Sequence, residues 1–280
     1  MSPARVSALT LIAMIAFAGN SILCRVALST TGIDPASFTT IRILSGAITL
    51  FCLARLGRKY APVSGNWASA LALFAYAAGF SFAYTDLSAA TGALLLFGAV
   101  QCTMIGYGLY KGERITFIQT CALIIAIAGL IGLLLPGLTA PPLRGAVLML
   151  AAGIAWGIYS LRGRGARNAT AETAGNFLRA VPFAFLASIL WLEHALLDIA
   201  GAIYAVASGA LASGVGYAIW YTVLPALSAT SAATLQLSVP ALAAAGGTLF
   251  LGEPVSLRLG LASLAILGGV AIFLLNKSRN

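Results

Sequence analysis

Ten runs of mostly apolar residues follow one another along this chain with only short breaks. They fall at roughly 5–29, 35–55, 66–85, 87–108, 115–135, 143–161, 172–191, 200–221, 227–249 and 255–275. An α-helix needs about 20 such residues to cross the hydrocarbon core of a bilayer. The breaks are rich in Gly, Pro and charge, and they leave no room for a folded soluble domain. Only 8% of the residues are charged, whereas a soluble domain carries about 25%, so there is too little polar surface to coat a water-soluble globule. In lipid every backbone N–H and C=O must be satisfied internally, which admits helices or closed barrels, and these runs are too long and too continuous for barrel strands. The sequence predicts an all-α membrane protein with ten transmembrane helices.

The net charge of +9 fits this picture without nucleic acid as a partner. Lys and Arg collect in cytoplasmic loops. With the N-terminus inside, the inside segments hold Arg5, Arg55, Arg58, Lys59, Lys111, Arg114, Arg162, Arg164, Arg167, Lys277 and Arg279, which is 11 of the 16 basic residues. Asp34, Asp86, Glu193, Asp198 and Glu253 fall outside. Both termini are therefore expected in the cytoplasm. Arg5, the apolar stretch after it and Ala16-Phe17-Ala18 imitate a cleaved signal peptide. The apolar run continues to Leu28, however, and has a counterpart in the second half of the chain, so it reads as a permanent span.

That counterpart belongs to a duplication. Leu227-Ser228-Ala229-Thr230-Ser231 lies 140 positions after Leu87-Ser88-Ala89-Ala90-Thr91, and Gly252-Glu253 lies 140 after Gly112-Glu113. Gly129 pairs with Gly269 at the same offset. Phe17 and Arg25 pair with Trp156 and Arg164 at 139, and Arg42 pairs with Arg179 at 137. The halves divide as 1–137 and 138–280, five spans each. An odd number of spans makes the second half enter the membrane in the opposite sense. This inverted repeat is a recurring plan of secondary transporters, with the substrate site near the midplane. In each Gly-Glu pair the Gly reads as a helix stop. The Glu, with Pro254 after it, reads as the first turn of the next helix. Gly209, Ser213 and Tyr217 share a face of the eighth span, as Gly98 and Cys102 do in the fourth, in a spacing that lets membrane helices approach closely.

Little in the sequence supports catalysis. Gly163-Arg164-Gly165 lacks the Lys-Ser/Thr ending of a phosphate cradle. Cys24, Cys52, Cys102 and Cys121 match no metal or redox spacing, and His194 sits alone in a loop beside Glu193. The chain is read as a non-enzyme with no cofactor and no metal. None of the seven acidic residues lies mid-span, which argues against the buried counter-charge of a lipophilic-cation exporter and against carboxylate-based proton coupling. Polar and aromatic groups do occur at depth. Tyr76, Phe80 and Tyr84 share one face of the third span. Trp156 and Tyr159 cluster on the sixth and Tyr217 on the eighth, while Asn20, Gln101 and Gln236 bring amides into the first, fourth and ninth. A phenol or amide at that depth needs a partner or a wet cavity. The substrate-binding set is read as Asn20, Tyr76, Phe80, Trp156, Tyr159, Tyr217 and Gln236. Tyr84, Trp220 and Tyr221 suit an interfacial belt. Arg42 and Arg179, each about 10 Å into a helix, read as snorkelling residues or as gate contacts and anchors for a substrate carboxylate. Pro240, in mid-span, denies the Gln236 carbonyl its helix bond and reads as a hinge.

Ten spans in two five-helix halves, the Gly-Glu-x-x-Thr/Ser pairs, the Leu-Ser-Ala stretches and the Phe17/Trp156 pair together resemble the drug/metabolite transporter superfamily of the EamA type, and within it the YddG-type aromatic amino acid exporters. The first half departs from the pattern in having Val100 where the second has Pro240. The resemblance implies a basket of helices around a central cavity lined by the first, third, fourth, sixth, eighth and ninth spans. It also implies a monomer in a bacterial-type inner (plasma) membrane, embedded in lipid and exporting amino acids or similar small metabolites by alternating access. A carrier for sugar-phosphates, nucleotide-sugars or drugs is the alternative, and a membrane scaffold or enzyme is the third reading.

Overall fold

The computed structural model describes residues 1–56, 63–112, 114–135, 137, 140–163, 168–227, 232 and 235–277. Glu113 of the first Gly-Glu pair, Arg164, residues 228–231 of the repeated stretch and the loop cations Arg58, Lys59, Arg167 and Arg279 lie outside them.

Ten helices stand among the described residues, one at each apolar run. They are α1 (Pro3–Thr30), α2 (Pro35–Leu56), α3 (Trp67–Ala83), α4 (Ala89–Tyr110), α5 (Phe117–Leu134), α6 (Leu143–Arg162), α7 (Ala169–Leu190), α8 (Ile199–Ala226), α9 (Ser238–Leu251) and α10 (Leu257–Lys277). Eight are long and apolar enough to cross a membrane; α3 and α9 are shorter apolar helices.

Short polar side chains start these helices by accepting the backbone N–H groups that no earlier turn can receive. Asn66 accepts from the Ser69 N–H, Ser88 from Thr91, Asn168 from Ala171 and Asp198 from Gly201. Thr116 and Gln119 form a reciprocal capping box on α5. Asp34 accepts from the Ala36 and Ser37 N–H groups at the start of α2, and from Leu196 across the loop before α8. Gly112 and Gly252, repeat mates, stand after α4 and α9 with φ of +89° and +64°, a region that residues with a Cβ avoid.

The packing respects the duplication. Helix α5 packs on α10, α2 on α7 and α4 on α9, each pairing a helix with its own repeat mate. The pairing α3–α6 is answered by α8–α1, and α4–α6 by α9–α1. Exchanging the halves therefore reproduces these main pairings, as a two-repeat membrane fold requires. Glycines set the closest approaches. A Cβ on Gly129 of α5 would lie 2.6 Å from the Ala265 Cβ of α10, and one on its mate Gly269 would lie 2.5 Å from the Ala122 carbonyl oxygen.

Helix α8 departs from the sequence reading. Its centre, Ala207–Val215, is π-helical, so small residues that meet a neighbour recur after five positions, not four. Gly209 rests on the Arg42 carbonyl and Ser45 of α2, and Gly214 rests on Thr49 one turn along. The Gly209–Ser213–Tyr217 face expected for an α-helix is replaced by this Gly209–Gly214 seam.

Glu253 also differs from expectation. It does not sit in the first turn of α10, which starts at Leu257, and Pro254 likewise precedes that helix. Its Oε1 accepts from Arg25 Nε at 2.9 Å, and its Oε2 accepts from the Ala89 N–H at 2.8 Å. Arg25 Nη1 donates to the carbonyls of Tyr84 (2.9 Å) and Thr85 (3.3 Å). One carboxylate thus caps α4 rather than α10, and one ion pair clasps α1, the α3–α4 corner and the end of α9. The side chains are only 20% and 14% exposed. Tyr84 and Trp220 are not interfacial. They are 0% and 6% exposed, inside the core, because α3 and α8 turn these rings onto α4 and α1.

Two predictions follow from the packing. Gly209→Val should lower the thermal unfolding midpoint in detergent, reflecting about 1–3 kcal/mol of overpacking. Gly106→Ala, where the new methyl meets open space, should be neutral or gain up to about 1 kcal/mol from helix propensity. Equal midpoints for the two variants would refute the α8–α2 approach. In the clasp, Arg25→Met and Glu253→Gln should each destabilise by about 1–3 kcal/mol, and a double-mutant cycle should show coupling above about 0.5 kcal/mol; additive effects would mean the pair is not formed.

Candidate functional site

The centre of the bundle encloses a cavity to which six segments contribute. Helix α1 brings Phe17, Asn20 and Ser21, spaced i, i+3, i+4 on one helical face. Helix α3 brings Tyr76 and Phe80, one turn apart, and α4 brings Leu96 and Phe97. Trp156 comes from α6, Ala212 and Tyr217 from α8, and Gln236 from the segment before α9. The room left for the centre of a water-sized sphere is about 20 Å³, little more than the 10–15 Å³ or so that one water requires. The walls nearly meet, so a solute of amino-acid size enters only when they part.

Rings make most of that wall. Trp156 lies 4.7 Å from Tyr76 and 5.3 Å from Tyr217, centroid to centroid. Phe17 meets Tyr217 edge-on at 5.7 Å, and Tyr76 meets Phe80 at 5.4 Å. Such offset and edge-on pairs are favoured by the ring quadrupoles. A polar chain runs through the same wall. The Ser208 hydroxyl donates to Asn20 Oδ1 at 2.6 Å, Asn20 Nδ2 donates to the Tyr76 hydroxyl at 3.3 Å, and Arg42 Nη2 donates to that hydroxyl at 2.9 Å. The Arg42 guanidinium sits 4.8 Å from the Phe80 ring centroid and 5.2 Å from that of Tyr76. None of the residues lining the cavity is acidic. The arrangement offers flat apolar faces, a few amide and hydroxyl groups and one nearby cation. It has no nucleophile–base pair and no carboxylate pair.

The structure brings Asn20, Tyr76, Phe80, Trp156, Tyr217 and Gln236 to one cavity and leaves four of the sequence-selected residues outside it. Tyr159 is one turn beyond Trp156, on the adjacent face of α6. Its ring touches Trp156 at 5.3 Å, but it lines a separate small chamber with Glu172, Thr173, Asn176 and Tyr221. Arg42 stands behind Tyr76. Arg179 is remote, donating to the Ser64 and Gly175 carbonyls at the end of the bundle where α7 begins. There Asn66 joins Asn176 and Arg162 in the same hydrogen-bonded layer. Pro240 is not mid-helix. The break falls at Leu237, and Pro240 is buried in the first turn of α9, where its missing N–H costs little.

Sequence reasoning missed Ser21, Leu96, Phe97, Ala212 and Ser208. Phe17 was within reach, being the repeat mate of Trp156, and Ser21 follows from Phe17 by helical spacing. Leu96 and Phe97 sit in a uniformly apolar run that marks no face. Ala212 and Ser208 are aimed by the π-turn; the five-residue Gly209–Gly214 spacing was its one trace.

Comparison with known proteins agrees with this architecture. The model of the EamA-like transporter family matches twice, over residues 5–135 and 143–275. An uncharacterized protein of Pseudomonas aeruginosa is 54% identical over 275 residues, covering 98% of this chain and 96% of that protein. A protein known from a crystal structure superposes with a TM-score of 0.66 over 98% of this chain and 99% of its own, at 20% identity, a likeness of fold. With both halves of the chain matched by one family and the cavity framed between them, the chain belongs to the EamA-like transporter family.

Proposed function

We propose that the protein is a secondary transporter that exports amino acids, aromatic and other neutral ones foremost, or similar small metabolites, by alternating access. The observation that carries this reading is the composition of the central cavity. Phe17, Tyr76, Phe80, Trp156 and Tyr217 offer ring faces for a flat apolar side chain, while Asn20, the Tyr76 hydroxyl and Gln236 offer hydrogen bonds to a zwitterion. A lining without Asp or Glu suits a solute of no net charge better than a lipophilic cation. The reading places the activity close to the YddG-type exporters.

In this reading the protein lies in a bacterial-type inner membrane with both termini in the cytoplasm, and it works as a monomer. The five helices of the second half then insert in the opposite sense to the first five. The Arg25–Glu253 clasp faces outward, and the Asn66–Asn176–Arg162 layer faces the cytoplasm. Substrate exchange requires these two ends to open in turn around a cage that is nearly shut in this structure.

Purified protein in liposomes should drive counterflow of tryptophan, phenylalanine or other neutral amino acids, compared with and without a pH gradient. Trp156→Ala and Gln236→Ala should each lower that flux by about 10-fold or more, the effect of losing about 1–3 kcal/mol of differential contact, with flux normalised to folded, reconstituted protein. Absence of counterflow for every amino acid, with the protein folded, would end the amino-acid reading. Intact flux in both variants would remove the cavity from the pathway.

A further inference from the structure

Four of the described arginines outside the cavity wall place their guanidinium groups on carboxylate, hydroxyl, amide or carbonyl acceptors. Arg25 reaches Glu253 and two carbonyls, Arg162 reaches Ser69 and Asn66, Arg179 reaches two carbonyls and Arg258 reaches the Leu135 carbonyl. Arg42 is placed more deeply than these, 2% exposed, and among the described arginines it is the one with a buried nitrogen lacking any partner, Nη1. Its repeat mate Arg179 shows that the position itself does not impose this. Removing a cation from water without pairing it is among the largest penalties in a protein interior. The Tyr76 hydroxyl and the faces of Tyr76 and Phe80 offset part of it. A side chain kept only for packing would fill that space better without a charge.

What Arg42 lacks is an anionic acceptor, and the cavity wall beside it supplies none. Tyr76 and Phe80, the two rings against its guanidinium, are themselves cavity wall. The Tyr76 hydroxyl already gathers two donors, Arg42 Nη2 and Asn20 Nδ2. An acceptor that arrives where the Tyr76 hydroxyl now stands therefore meets an amide and a guanidinium together. A guanidinium binds a carboxylate through two parallel N–H···O bonds, a geometry a lone phenol cannot satisfy. We infer that Arg42 is the anchor for a carboxylate on the transported solute, so that the substrate class is carboxylic acids bearing a flat apolar group. The inference rests on the transporter reading above. Filling the site gives the Arg42 guanidinium the anionic partner that it lacks in the empty carrier.

The test compares matched pairs of probes binding to purified, detergent-solubilised protein by calorimetry: tryptophan with tryptophan amide, and indole-3-propionate with indole-3-propionamide. Wild type should prefer the acid of each pair by about 10-fold or more, as expected for a charge-assisted hydrogen bond. Arg42→Gln should bring that ratio close to one, and Arg42→Lys should retain part of it. The ratio is read within one preparation, so partial misfolding cancels; should Arg42→Gln fail to fold, Arg42→Lys must still lower the ratio several-fold. The inference is overturned if wild type binds amide as well as acid, binds no acid, or keeps its preference in the variants. Flux of indole-3-propionate without flux of any amino acid would remove the amino-acid reading and leave the anchor standing. Flux of amides or amines in preference to acids would remove the anchor and leave the transporter.

Discussion

Lipid offers no hydrogen bonds, and it dissolves apolar side chains as readily as another helix does. Every feature of this fold answers to those two facts. Helices form because the backbone must close its own bonds. They associate where glycine lets them touch, at Gly129 and Gly269 between α5 and α10 and at Gly209 and Gly214 between α8 and α2. Polar side chains then become scarce fittings whose positions matter. Several are spent on helix ends, where Asp34, Asn66, Ser88, Thr116, Asn168 and Asp198 receive N–H groups that would otherwise be stranded. Glu253 does the same for α4, across 164 residues of chain.

One group of interior polar side chains gathers at the cavity. Ser208, Asn20, Tyr76 and Arg42 form a single hydrogen-bonded chain within a wall of rings. The two ends of the bundle are held by different means. A part-buried ion pair ties α1 to the α3–α4 corner and to the end of α9. A layer of amides and guanidinium groups ties residues 64–66 to α6 and α7. The main helix pairings are kept on exchanging the halves, yet the mates Arg42 and Arg179 lie in opposite surroundings, one sealed beside the cavity and the other among carbonyls at the rim. A duplicated framework thus carries an asymmetric arrangement of its charged residues.

Much of this was legible in the residues. Apolar run length located all ten helices, because a span is a one-dimensional requirement. The duplication was visible at Gly112/Gly252 and Gly129/Gly269, where backbone freedom or close approach allows little else. Depth singled out Asn20, Tyr76, Phe80, Trp156, Tyr217 and Gln236, since polar and aromatic groups in mid-membrane need a reason. Local spacing misleads where a side chain's partners lie far along the chain. Glu253 was assigned to the nearest helix start, although its partners are 228 and 164 positions away. Tyr84 and Trp220 were given to an interfacial belt because helix ends look alike in sequence whether they face lipid or a neighbour.

The sequence by itself determined the solvent, the presence of ten helices and the two-fold repeat, for these depend on composition and spacing along the chain. Only the tertiary structure decided which face of each helix looks inward. Side chains surrounded by apolar neighbours on every side carry no periodicity to read; the moment that orients a helix in water is missing here. The π-turn of α8, the Arg25–Glu253 clasp and the unpaired nitrogen of Arg42 all depend on what a second helix places opposite. Distance along the chain holds no record of those juxtapositions.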